Sequence, residues 1–280
     1  MIKRLLWLLV PLALIASSEN GALELAYGKD EKQRLDYWHP RLATRSTKAI
    51  KPPLIIFIHG GGWAIGDKAT GGRGKPSFYK GMGYAFASLN YRLVPKVTPD
   101  DQAKDIASAI ADLRGQSRSL GFDPNRIILM GHSAGAHLAA LVSANTRYLE
   151  SAGVPLSSIK GTILLDGAGY DVPKQMASKQ NRLPDMYVSA FTNDKPTQVR
   201  LSPITYASAP NSPRWLILHV AARPDSAAQS NMLGKALSAS GAFVAVKAIP
   251  NSSHMSINRD AGAAGTVVGN EIADFLERLH

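Results

Sequence analysis

Short unbroken apolar runs recur along the chain: Leu54-Ile55-Ile56-Phe57-Ile58, Tyr84 to Asn90, Ile127-Ile128-Leu129-Met130, Thr162 to Leu165, Trp215 to Val220 and Phe243 to Ile249. A run of this length without polar alternation has no face to show to water. It reads as a strand covered on both sides, the situation of parallel sheets. Between two of the runs, Asp100 to Leu120 sets Ala103, Ile106, Ala107, Ile110 and Leu113 at helical spacing before Gly121-Phe122-Asp123-Pro124 stops it. Further helical segments are expected near Ala227 to Ser240 and Val267 to Leu279. Repeated strand–helix units imply an α/β fold, a mainly parallel sheet with helices on both faces. Leu23 to Tyr27 and Gln33 to Trp38 read as an opening antiparallel pair, and a polar stretch follows that ends at Pro52-Pro53.

With 280 residues, 45% of them hydrophobic, the chain can bury a full core, and no repeat or low-complexity linker divides it. Residues 19–280 are therefore read as one domain. Residues 1–18 are read as an export signal: Met1-Ile2-Lys3-Arg4 is a basic start, Leu5 to Ala16 an apolar run, and Ala16-Ser17-Ser18 a small-residue cleavage site. The apolar run falls short of the ~20 residues of a membrane-spanning helix, so no stable span is expected after cleavage. The expected location is secreted or periplasmic. Residues 166–213 stand outside the alternation and carry Tyr170, Met176, Met186, Tyr187 and Phe191. Beyond a strand's carboxyl end such a segment reads as a small helical lid over the crevice. The alternative is a surface excursion whose aromatics pack down.

Cysteine is absent, which excludes disulfides, thiolate metal sites and a cysteine nucleophile. The formal net charge of +11 is spread along the chain without an aromatic-interleaved basic stripe, so no nucleic-acid partner is expected. No metal or other cofactor is expected either. His132 and His137 are five apart, not the four that stack two imidazoles on a helix face. Asp100, Asp101 and Asp105 lack the spacing of a calcium loop and read as a helix start. Arg92 is expected to pair internally and steady a strand end rather than bind a substrate carboxylate. Oligomeric state is left open.

Chemistry concentrates in Gly131-His132-Ser133-Ala134-Gly135, which joins an apolar run directly to the helix-like Ala136 to Val142. A G-x-S-x-G turn between strand and helix lifts a serine hydroxyl above the end of a sheet, with glycines where a larger side chain would block the backbone. A serine needs a histidine to take its proton. Of the seven histidines, His254 stands in the turn-rich loop Pro250 to Met255 after the last strand, where a base can reach Ser133. His39 lies in the early segment, His280 is the last residue, His59 sits in a glycine loop, and His132, His137 and His219 read as structural. The base needs a carboxylate on its other nitrogen, and in hydrolases with this elbow the acid comes between serine and histidine in the chain. Asp225, shortly after the strand Leu216 to Val220, is read as that acid. Asp166, also at a strand end, is the alternative, and Asp225 would then be a helix cap. His59-Gly60-Gly61-Gly62-Trp63 follows Ile58 directly, and its glycines let backbone N–H groups converge. The expected oxyanion donors are the N–H groups of Gly61, Gly62 and Ala134.

His59-Gly60-Gly61-Gly62-Trp63, Asn90-Tyr91-Arg92-Leu93 and Gly131-His132-Ser133-Ala134-Gly135, in this order, resemble the α/β-hydrolase superfamily. Within it they resemble specifically the hormone-sensitive-lipase-like and feruloyl/acetylxylan-esterase-like (BD-FAE) branches. Gly131 to Ala139 is also similar to kynurenine formamidases. The resemblance covers the chain from about Tyr27 onward. It implies a sheet of about eight strands, a Ser-acid-His triad that forms an acyl-enzyme, and a small-molecule ester as substrate. An amide or formamide is the second reading, and a silent binding module the remote third. Trp63 and Tyr170 are the expected substrate-binding residues. Many relatives carry His-Gly and soon an aspartate after the penultimate strand, whereas this strand ends His219-Val220 and Asp225 comes later.

Overall fold

A computed structural model describes residues 21–40, 51–178 and 184–279. The leader reading of residues 1–18 and part of the proposed lid segment lie outside them. Eight strands form one sheet: β1 (Leu23–Ala26), β2 (Arg34–Trp38), β3 (Leu54–Ile58), β4 (Ala85–Leu89), β5 (Ile127–His132), β6 (Ile159–Leu165), β7 (Arg214–Val220) and β8 (Phe243–Ile249). Their order is β1-β2-β4-β3-β5-β6-β7-β8. β2 is antiparallel to both β1 and β4, and every pairing from β4 through β8 is parallel.

The unbroken apolar runs become strands because each side chain has somewhere dry to go. In β3, Leu54, Ile56 and Ile58 join one core, while Ile55 and Phe57 join another on the opposite face. β5 splits likewise, with Ile127 and Leu129 on the first face and Ile128 and Met130 on the second. The period-two pleat sends alternate residues to opposite sides. The first core lies under the helices Pro99–Gly115, Ala134–Ala144 and Pro224–Ala239, and the second under Val267–Glu277. β8 closes the sheet as an edge and stays partly exposed along most of its length. This is the α/β-hydrolase fold.

The helix at Pro99 starts as its sequence suggests. Thr98 caps it, accepting from Asp101 N–H while the Asp101 carboxylate accepts from Thr98 N–H. This reciprocal box satisfies two otherwise unpaired donors. Asp105 inside it holds Arg92 through Nε at 2.9 Å and Nη2 at 2.7 Å, so Arg92 does pair internally, at the end of β4. Between β6 and β7 lie the short helices Val172–Ala177, Pro184–Phe191 and Lys195–Arg200.

Candidate active site

β5 delivers Ser133 at its carboxyl end, with φ 56° and ψ −122°. That backbone is costly for a residue with a Cβ, and it is held by the contacts around it. A Cβ on Gly131 would collide with the backbone of Gly135, and a Cβ on Gly135 would collide with the carbonyls of Ile58 and His59. The two outer glycines of the pentapeptide are therefore where the turn folds on itself and where it meets the end of β3. Ser133 N–H donates to Leu165 O at 2.9 Å, tying the turn to β6.

His254 begins the helix His254–Asp260, whose cap is Ser253. Its Nε2 lies 3.0 Å from Ser133 Oγ, and its Nδ1 lies 2.7 Å from Asp166 Oδ2. With Nδ1–H donating to the carboxylate, Nε2 is left as the acceptor of the serine proton. The acid is thus Asp166, not Asp225. Asp166 directly follows β6, is 1% exposed, and takes a φ of 44° that turns its carboxylate toward the base. Its Oδ1 accepts from Val220 N–H at 3.0 Å. Burial alone would raise its pKa. The hydrogen bonds from His254 and Val220 N–H and the positive charge of Arg223 outweigh burial, and hold it well below the ordinary carboxylate range.

Asp225 lies in the first turn of the helix Pro224–Ala239, where its Oδ2 accepts from Arg223 Nη2 at 3.1 Å. The assignment fails there because the loop after β7 turns Arg223, rather than a carboxylate, toward the base. The helix cap is Arg223, so Asp225 does not fill that alternative role either. The signal for Asp166 was its place at the end of the strand beside the nucleophile's own, together with the absence of acid in Val220-Ala221-Ala222.

His132, His137 and His59 are held in structural contacts. The His132 ring packs tilted against His254 with centroids 4.6 Å apart and donates through Nε2 to His254 O at 2.7 Å. Burial, reinforced by the neighbouring His254, takes its pKa down to about 3, so it stays neutral. His137 accepts from Trp63 Nε1–H at 3.3 Å and donates through Nε2 to Leu201 O at 2.8 Å. His59 stacks on Tyr91 and donates through Nδ1 to Gly60 O at 2.6 Å.

The glycine loop reaches the nucleophile. A Cβ at Gly60 would stand 2.9 Å from both Ser133 Cβ and the carbonyl of His132. Gly61 and Gly62 take φ values of 120° and 56°. Among the described residues, the N–H groups of Gly61, Gly62 and Ala134 donate no backbone hydrogen bond, and all three residues line one cleft with Ser133. Donors preset around a reacting carbonyl are worth roughly 3 to 4 kcal/mol each. Trp63 pins the loop: its carbonyl accepts from Val94 N–H at 3.0 Å and Gln102 Nε2 at 2.7 Å, and its ring packs on His137, Tyr187 and Phe191. It touches the cleft wall but is only 1% exposed, so its main work is to anchor the loop. Tyr170 was expected at the substrate and is instead fully buried away from the cleft, packed against Gly167. From the segment between β6 and β7, beyond Asp166 itself, it is Ala168, Gln175, Met186 and Tyr187 that reach the cleft.

The cleft encloses about 650 Å³. Ile65 and Met255 stand on its rim, 70% and 67% exposed, so its mouth is apolar. Among the described residues no helix is long and apolar enough to cross a membrane.

Known proteins align with this arrangement. Isoprenylcysteine alpha-carbonyl methylesterase of Arabidopsis thaliana is 36% identical over 183 residues, covering 62% of this chain and 40% of that protein. The chain thus spans about two fifths of that relative's length. Kynurenine formamidase of Salmo salar is 28% identical over 237 residues, covering 84% of this chain and 75% of the other. Among solved structures, esterase B of Lactobacillus rhamnosis superposes with a TM-score of 0.74 at 22% identity, covering 91% of this chain and 84% of that one. Esterase 2 of Thermogutta terrifontis gives 0.71 at 22% identity, covering 92% and 94%. These two likenesses are of fold. The sequence profile of the BD-FAE family matches residues 42–237, which takes in the glycine loop, the serine elbow, Asp166 and Arg223, and by that match the chain belongs to the BD-FAE family.

Proposed function

We propose that the protein is a serine carboxylesterase acting on small-molecule esters. The observation that carries this is the continuous path from Ser133 Oγ to His254 Nε2 at 3.0 Å and from His254 Nδ1 to Asp166 Oδ2 at 2.7 Å, inside a cleft bordered by the glycine loop. Ser133 Oγ attacks the ester carbonyl carbon while its proton passes to His254 Nε2. The oxyanion is met by the N–H groups of Gly61, Gly62 and Ala134. Collapse expels the alcohol, which takes the proton from His254. Water then repeats the sequence in reverse roles and frees the acid and Ser133. Asp166 remains ionised throughout and stabilises the imidazolium.

A fluorophosphonate probe should label the wild-type protein and leave Ser133→Ala unlabelled. A folded wild-type protein that resists the probe overturns the reading. Comparing p-nitrophenyl acetate, butyrate and decanoate with N-formylkynurenine then separates ester from formamide hydrolysis. The second reading, an amidase or formamidase, is favoured by the formamidase alignment, which spans most of both chains. The basic, apolar and small-residue succession of residues 1–18 supports export as the setting of either activity.

A further inference from the structure

Two donors converge on one oxygen of the triad acid. Arg223 Nη1 stands 2.5 Å from Asp166 Oδ2, the same atom that His254 Nδ1 approaches at 2.7 Å, and the two nitrogens are 2.6 Å apart. The guanidinium is held on its other side by Asp225 through Nη2 at 3.1 Å. Arg223 N–H donates to Val220 O, so the side chain leaves from a fixed loop at the end of β7. It is partly exposed and borders the cleft.

We infer that Arg223 is a positioning residue that fixes the Asp166 carboxylate against His254 and, with Asp225 as its counter-charge, sets the lower pH limit of the enzyme. The inference rests on the serine-hydrolase reading of the site. A permanent cation beside Nδ1 opposes formation of the imidazolium, and its hold on Asp166 draws off part of the negative charge that would favour it. Asp225 works the other way by offsetting the guanidinium. The remaining ionisable neighbours are few. His132, packed against His254 from the end of β5, stays neutral. Lys75 acts on His132 through its charge, and His59, Asp67 and Tyr187 border the same cleft.

The signs of two variants therefore oppose each other. Arg223→Gln removes the cation, so the acid limb of the pH–rate profile should move up by about one pH unit. Asp225→Asn leaves the cation unbalanced, and the limb should move down. Arg223→Lys keeps the charge and should hold the limb near its wild-type place while losing part of kcat through poorer positioning of Asp166. The measurement is the rate of fluorophosphonate labelling of the full chain against pH, checked against kcat/KM for p-nitrophenyl acetate. An unmoved limb in Arg223→Gln, or an upward shift in Asp225→Asn, overturns the inference. If Arg223→Gln does not fold, Asp225→Asn decides it alone. Absence of labelling in the wild-type protein would instead strike the hydrolase reading, so the two failures are distinct.

Discussion

Asp166 and Asp225 are two aspartates that follow neighbouring strands, and only one can serve His254. The choice turns on a few ångströms that depend on backbone torsions. Asp166 takes a left-handed turn directly after β6 and places Oδ2 at 2.7 Å from Nδ1. Asp225 is two residues beyond the arginine that occupies the facing position, and its carboxylate meets that arginine. Asp166→Asn should therefore keep the fold and lower kcat by about 10⁴, the loss expected when the base is left in the wrong tautomer. Asp225→Asn at the pH optimum should lower kcat by less than about tenfold, since it breaks one partly exposed pair. Steady-state kinetics on p-nitrophenyl acetate, with far-ultraviolet circular dichroism as the fold check, compare them. Equal losses would return the acid to Asp225. The nucleophile and base were legible in the sequence because Ser133 sits in a turn with its own chemistry and His254 in a loop. The acid was not, because two aspartates satisfied the same chain order and strand-end placement. Tyr170 misled for a related reason: an aromatic near a site can be wall or core, and only packing decides.

At the level of elements, the elbow depends on how closely β3 and the helix Ala134–Ala144 approach. Gly135 faces the carbonyls of Ile58 and His59 with no room for a methyl group. Gly135→Ala should push the nucleophile helix away from the glycine loop, costing about 1–3 kcal/mol of stability through overpacking. It should lower kcat/KM at least about 100-fold, because Ser133 and the oxyanion donors lose register. Urea denaturation and ester kinetics measure the two losses, and full activity would show that the contact yields without consequence. The strands themselves were readable because unbroken apolar runs admit few other homes. The short helices between β6 and β7 were not, since residues such as Met176, Met186 and Val188 form no sustained helical stripe. Met186 and Tyr187 meet the cleft through the path of the loop, which periodicity does not encode.

For the molecule as a whole, a single sheet separates two cores, and the strands that deliver Ser133 and Asp166 lie at its middle. β5, β6 and β7 contribute to both cores at once. Neither core can therefore come apart without disturbing the other. Unfolding in urea should be one cooperative transition, with tryptophan fluorescence and far-ultraviolet circular dichroism coincident. Two separated transitions would mean that the segment between β6 and β7, or the β1–β2 edge, melts on its own. The number of strands and their mainly parallel arrangement followed from alternation along the chain. Their spatial order did not, because local pattern carries no record of which strand pairs with which.

Because Asp166 directly follows the strand next to the nucleophile's, serine and acid share a rigid scaffold, and His254 arrives separately, at the start of the helix after β8. The turn after β7 is thereby excused from holding the acid. It can change its length or its charges and alter the conditions under which the enzyme works while the reaction itself is preserved, which makes that turn the natural place to retune this protein for acidic or alkaline surroundings.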